Sequence, residues 1–391
     1  MDPQRRHVEV RPDEAPRPAS SERPYIVIRH PAYPATAPPL LQFRAVDRTW
    51  EGVKAVHAFD HDTALIACGI VTGNTWPNGY IGLKIPRRNV YLKLMATKGE
   101  VLRTHEEYYY FVGDRTSPDY KYPVVPSFDN WRFPHKNLPK PWAEISISGL
   151  PPNFDRLGGA VGAIERDLGG QKVTDRNKLE VARLIPEKHE KWFFLNDMQM
   201  CVAPGLTEKL TALLTFVSLP SYRRSPRHDL PMDDLGNLIC LHPEKLKHFQ
   251  HCQFTVVPRK KLPNEVGPLV LRCLSPGEGD ELVTLYHNRS AGCIIDMSKE
   301  YLFARFAMLM FRSDTMPFFT GEGETAVRLE DPRITWQRTV MRQDGSTKDS
   351  AIEIKEDYSQ TPEASINPNK RKRSESSDGN AAKRHDSGEG K

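Results

Sequence analysis

Proline sets the limits of regular structure along this chain. Its 33 prolines, among 391 residues, crowd toward the ends and the loops. Each fixes φ and removes a backbone donor, so helix interiors and central strands are excluded wherever prolines cluster. Hydrophobic residues make up 38% of the chain, which is low for a wholly folded protein. The two features together predict a folded middle between disordered ends, residues 1–22 and 329–391. The stretch SPDYKYPVVPSFDNWRFPHKNLPKP, inside residues 116–145, is too proline-rich for regular structure and is expected to be a linker or long surface loop.

Residues 23–115 read as a β-rich region. PYIVIRHPAY, LLQFRAV, VKAVHAF, ALIACGIVTG, NVYLKLMA and EEYYYFVGD are short runs rich in β-branched and aromatic residues, and each is expected to be a strand. Residues 146–328 have a different character. NFDRLGGAVGAIERDLGG predicts a helix ending at its glycines, and KVTDRNKLEVARLIP a turn followed by a strand. EKHEKWFFLNDMQMC and LTEKLTALLTFV predict two further helices. In SKEYLFARFAMLMFRSD, Leu302, Phe306, Leu309 and Met310 share one helical face with Phe303 beside it, a stripe suited to a core. If that helix were instead a protein-interaction surface, it would leave an apolar patch exposed.

No run reaches the roughly 20 apolar residues of a membrane span, so no membrane partner is expected. The start, MDPQRRHVEVRPDEAP, lacks the apolar core of a secretory signal. The six cysteines form no CxxC pair. An intracellular chain with reduced thiols packed as small hydrophobes is the expectation.

Net charge is +5. From Asn367 onward there are seven Lys or Arg against four Asp or Glu, a net of +3, which leaves +2 for everything before it. A nearly neutral body argues against tight sequence-independent grip on a phosphate backbone. The tail itself carries two basic clusters, Lys370, Arg371, Lys372 and Arg373, then Lys383 and Arg384, across a spacer holding Ser374, Ser376 and Ser377. Their spacing is that of a bipartite nuclear address, so an import receptor is an expected partner, phosphorylation of those serines an expected control, and the nucleus, otherwise the cytoplasm, the expected location.

Three ordered pieces carry the remaining information: AIERDLGGQKVTDRNKLEVARLIP, WFFLNDM, and GNLICLHPEKLKHFQHCQFTVVP. Their order resembles the HNH nuclease domain of many fungal proteins, in which a strand AH(L/I)IP is followed by WF-x-x-N-x-M and N-x-I-x-L-R-x-D-(I/V)-H-x-x-F-D. YHN at Tyr286–Asn288 and EYLFARFA at Glu300–Ala307 resemble that family's C-terminal signature, and VHAFDHD with GIVTGN its lead-in. The resemblance implies an α+β fold: a β-rich N-terminal part, a ββα-metal-like centre spanning a β-hairpin and a helix, and a C-terminal packing helix. It also implies hydrolysis of phosphodiesters. A strand histidine acts there as general base, a helix histidine with a carboxylate holds one divalent metal, and a central asparagine orients the base or its loop.

Position by position, the chemistry is replaced. The base position is Arg183, and a guanidinium cannot accept a proton at physiological pH. Asn237 is retained, but the metal-ligand position is Leu246, the following carboxylate position is Gln250, and Gln171 stands at the cysteine of the RDG-x-C-x-(V/L)-T motif that opens the family's pattern. Pro186, Trp192, Phe193, Asn196, Met198, Phe249 and Phe254 keep the scaffold pattern. The expectation is a pseudo-nuclease with no catalytic residues and no cofactor, acting as a nucleic-acid-binding or regulatory protein. Arg183, Arg223 and Arg224 are candidate phosphate contacts, with a local ion pair from Arg183 to Glu180 or Glu244 as the plainer alternative. The rival expectation is an active endonuclease whose divalent metal is held by a rewired set drawn from His189, His242, His248 and His251.

Overall fold

The structure is a computed structural model, and it describes residues 23–51, 53–85, 90–94, 101–113, 120–147, 159–167, 179–201, 231–259, 269–274, 281–289, 291, 294, 297–320, 327–330 and 335–338. Its strands are β1 (Tyr25–Arg29), β2 (Leu41–Arg44), β3 (Asp47–Glu51), β4 (Lys54–Asp60), β5 (Gly79–Lys84), β6 (Tyr91–Lys93), β7 (Val101–Arg103), β8 (Tyr108–Val112), β9 (Glu180–Arg183), β10 (Leu238–Leu241), β11 (Phe254–Pro258), β12 (Leu269–Cys273), β13 (Val327–Glu330) and β14 (Thr335–Arg338). Its helices are α1 (His61–Val71), α2 (Lys140–Ala143), α3 (Gly159–Asp167), α4 (Glu190–Leu195), α5 (Pro243–Gln250), α6 (Glu281–Tyr286) and α7 (Lys299–Met310). The fold is α+β.

The N-terminal strands form a five-stranded sheet in the order β2-β1-β8-β5-β6 and a three-stranded sheet β3-β4-β7. All neighbours pair antiparallel except β1 with β8. Alternation along these strands turns Ile26, Ile28, Leu41, Phe43, Ile81, Tyr108 and Tyr110 to the core. Further along, β9 pairs with β10 and β11 with β12, both antiparallel.

One segment expected as a strand is a helix. ALIACGIVTG forms most of α1, which is buried on nearly every side. With no polar face, its sequence shows no helical period, and β-branched content alone misleads. The helix starts because the Asp60 carboxylate accepts from the Thr63 backbone N–H at 3.0 Å. It stops at Gly73 and Asn74, with φ of 78° and 69°.

The proline-rich stretch is irregular, as expected, but it is not a surface linker. Tyr122, Val124, Val125, Phe128, Trp131, Phe133, Trp142 and Ile145 from it are all buried. The Trp131 indole donates to Asn74 Oδ1 at 2.7 Å, and the Trp192 indole donates to the Trp131 carbonyl at 2.6 Å. Asn196 Oδ1 accepts from the Phe133 N–H at 2.7 Å. Prolines here rigidify a core strap whose backbone groups are met by side chains from elsewhere. Its aromatic residues wedge it between α1 and α4.

At the centre lies α7, in which every residue from Tyr301 to Met310 is buried. The Phe303 ring meets Trp76, Trp131 and Trp142 with ring centroids 5.8, 5.9 and 5.1 Å away. Ser298 caps this helix through the Tyr301 N–H at 3.3 Å. A helix enclosed in this way offers no exposed apolar patch to a partner protein. Helix LTEKLTALLTFV, expected from the sequence, lies outside the described residues, as do residues 1–22 and 339–391. Disorder does not begin at residue 329 as expected, because β13 pairs antiparallel with β14 and the Leu329 N–H donates to the Val124 carbonyl.

Candidate functional site

Strands β9 and β10 pair with Arg183 opposite Leu238 and Ala182 opposite Ile239, and α5 follows directly and packs on β9. Together they make a short antiparallel pair backed by a helix. The corner is locked by Asn237, which is fully buried. Its side-chain oxygen accepts from the Ile185 N–H at 2.9 Å, and its amide donates to the Met232 carbonyl at 2.9 Å and the Ile185 carbonyl at 3.3 Å. The Leu184 N–H donates to the Asn237 carbonyl at 2.8 Å. Asn237 therefore holds the loop after β9 against the start of β10, and all its bonds go to backbone.

Arg183 lies at the end of β9. Its Nε and Nη2 both donate to Asp233 Oδ1, at 2.9 and 2.6 Å. Glu187 lies 3.8 Å from Nη1. The ion pair is thus made with Asp233 and Glu187 rather than with Glu180 or Glu244. Two carboxylates on one guanidinium favour the local ion pair over a phosphate contact. Arg223 and Arg224 lie outside the described residues.

Leu246 is buried, one turn before the equally buried Phe249, while Gln250 is exposed. The core-facing side of α5 is therefore apolar where the resemblance calls for a metal ligand. Arg305 reinforces this: it is buried, its ring-facing guanidinium lies 3.9 Å over Phe249, and it donates to the carbonyls of Phe249 and Leu184. Burial lowers its pKa to about 10, so it stays charged at neutral pH. With an alkyl side chain, an amide and two guanidiniums at or near the expected positions, this donor set does not fit a divalent cation.

The four histidines are not gathered around Asn237. His189 Nδ1 lies 2.8 Å from Asp129. His242 precedes the first turn of α5 and lies 4.0 Å from Glu244. His251 ends α5, its Nδ1 donating to the Lys247 carbonyl at 2.7 Å, and His248 Nδ1 bonds Gln253. His248, His251 and Glu244 do share an open depression of about 500 Å³ on the outer side of α5, together with Lys245, Lys247 and Gln253. Two lysines in that depression oppose cation binding, and Asn237 does not line it. Among the described residues, no group of three or more His, Cys, Asp or Glu side chains is placed to hold a metal ion.

A second polar cluster escaped the sequence reading. Asp47, on β3, is fully buried with Arg272 on β12, and with His287 and Asn288 just after α6. Asp47 Oδ1 accepts from Arg272 Nη1 at 3.0 Å, His287 Nε2 at 3.0 Å and Asn288 Nδ2 at 2.8 Å. Oδ2 accepts from Arg272 Nη2 and from the Asp60 N–H at 2.9 Å. Burial alone would raise this carboxyl's pKa, but the Arg272 guanidinium and the His287 hydrogen bond hold it well below the usual range. The YHN piece that resembled a family signature therefore serves to close a buried ion pair. No local signal predicted it, because Asp47 lies 225 residues from Arg272.

Compared with family models, with curated proteins and with solved structures, the chain matches none of them.

Proposed function

We propose that this protein is an HNH-type scaffold that no longer hydrolyses phosphodiesters and serves in the nucleus as a binding or regulatory protein. The observation that carries the reading is the Asp233-paired guanidinium of Arg183 at the base position of the motif. A charged donor there can neither deprotonate water nor tolerate a neighbouring metal cation. Leu246 and Gln250 extend the same replacement to the metal-ligand positions, whereas Asn237, Trp192, Phe193, Asn196 and Met198 support the fold. The basic clusters at Lys370–Arg373 and Lys383–Arg384 support the nuclear assignment.

A plasmid-nicking assay with magnesium, manganese or zinc tests this directly. The expected result is no nicking above a protein-free control with any of the three. Metal-dependent nicking that disappears in both Glu244→Gln and His248→Ala would replace this reading with the rewired endonuclease.

A further inference from the structure

The five-stranded sheet has one face in the core and one face turned outward. Pairing register assigns Arg44 and Gln42 of β2, Tyr25, Val27 and Arg29 of β1, Tyr109 and Phe111 of β8, Tyr80, Gly82 and Lys84 of β5, and Tyr91 and Lys93 of β6 to the outer one. A solvent-facing sheet surface is ordinarily polar and mixed in charge. This one is a row of aromatic rings interleaved with cations. Tyr80 stacks on Phe111 at 5.1 Å between centroids, and Tyr91 packs edge-on against Tyr109 at 5.0 Å and Phe111 at 5.1 Å. Over these rings lie cations: Arg44 at 4.1 Å from Tyr25, Lys93 at 4.5 Å from Tyr80, and Lys84 at 5.6 Å from Tyr109. Among the described residues, the carboxylate paired with these cations is Glu107, 3.6 Å from Lys84 and 4.0 Å from Arg29.

Gly82 makes the arrangement possible. A Cβ there would lie 2.8 Å from the Phe111 ring, so only glycine lets that ring lie across the strand. Phe111 and Tyr109 are then covered by their neighbours, while Tyr25 is 39% exposed, Lys93 is exposed, and Tyr80, Tyr91, Lys84, Arg29 and Arg44 remain partly open.

We infer that this face binds single-stranded nucleic acid, the bases stacking on Tyr80 and Tyr91 and the phosphates pairing with Lys84, Lys93, Arg29 and Arg44. Among the described residues, four cations against one carboxylate complement a polyanion, and rings set between them suit a polyanion that also carries flat π-faces. A five-stranded face is broader than the two-stranded ribbon a major groove admits, and exposed rings find free base faces on unpaired strands. Five strands span about 19 Å, room for two or three stacked bases. The assignment goes beyond the inert-scaffold reading and holds whether or not the β9–β10–α5 unit cuts.

Fluorescence anisotropy with the intact chain tests it, using labelled oligo-U RNA and oligo-dT of about twelve nucleotides beside a duplex of equal length. Single strands should bind more tightly than duplex, with affinity falling as salt rises. Lys93→Glu and Lys84→Glu, which leave the ring packing alone, should each weaken binding about tenfold and flatten the salt slope. Tyr91→Ala should weaken it by a similar factor while Tyr91→Phe retains it, since stacking needs the ring and not the hydroxyl. The basic tail is untouched in every variant, so binding unchanged in all of them would assign the affinity to the tail and overturn the proposal. Equal affinity for duplex, no binding at all, or equally effective competition by an oligo-glutamate peptide would overturn it too.

Discussion

His30 is the side chain whose chemistry the fold alters most visibly. Its ring stacks on Tyr122 at 3.7 Å, its Nδ1 accepts from the Ala32 N–H at 3.1 Å, and its Nε2 donates to the Tyr122 carbonyl at 3.1 Å. Burial lowers its pKa from 6.5 to about 3, with Lys121 adding to the effect and the Tyr122 carbonyl opposing it. A base depressed on folding stays neutral in the native state while the unfolded chain takes up a proton. The stability it lends is therefore complete above pH 6.5 and is lost as pH falls toward 3. At pH 5 the loss is about 2 kcal/mol. Thermal melts from pH 7 to pH 4.5 should show this decline, and His30→Gln should flatten it. The low-pKa carboxyls Asp47 and Asp60 act below that range, so they do not mask the result. At this scale the sequence was informative about identity and silent about partners. Motif order singled out Arg183, Asn237 and Leu246. That Arg183 is bound to Asp233 could not be seen there, because the two lie 50 positions apart and no period links them.

Elements were legible where one side of them meets water. The strands β1 and β2 alternate and were readable as strands, and α3 announced itself by its glycines. Helix α1 was not, since its residues are apolar on all sides and a buried helix has no period to show. Nor was the core role of the proline-rich strap, whose composition describes its backbone but not its aromatic side chains. Packing between elements is tight enough to test at one glycine. A Cβ at Gly79 of β5 would fall 1.8 Å from the Tyr110 hydroxyl, which is buried and bonded to Thr75 Oγ1 at 3.0 Å. Tyr110 cannot swing away without abandoning both the core and that bond. Gly79→Ala should destabilise the protein by about 1–3 kcal/mol, read as a lower denaturant midpoint with an unchanged m-value.

Across the whole molecule, the N-terminal sheets and the C-terminal helices share one core instead of forming separate domains. Gln42 on β2 donates from its backbone to the Thr315 carbonyl at 2.8 Å, and the Leu329 N–H donates to the Val124 carbonyl at 2.9 Å. The Asp47–Arg272 pair is the charged counterpart of these contacts, and both partners are fully enclosed. Removing one partner leaves the other charged and unpaired, so Asp47→Asn should cost about 3–5 kcal/mol in equilibrium unfolding. The double change Asp47→Leu with Arg272→Met should cost less than either single change, because no orphan charge remains. The sequence suggested two regions joined by a linker. It could not show their fusion, because the joining contacts are sequence-distant and carry no local signature.

The span of that pair has a consequence for how the protein is made. Asp47 leaves the ribosome long before Arg272, and at roughly 5–20 residues per second the wait is on the order of ten to forty-five seconds. Throughout it, the β3 carboxylate lacks its guanidinium partner, and α1 lacks α7, the helix that packs against it. A nascent chain of this protein therefore cannot complete its first half in advance. A chain arrested before Arg272 leaves the apolar α1 without the helix that covers it.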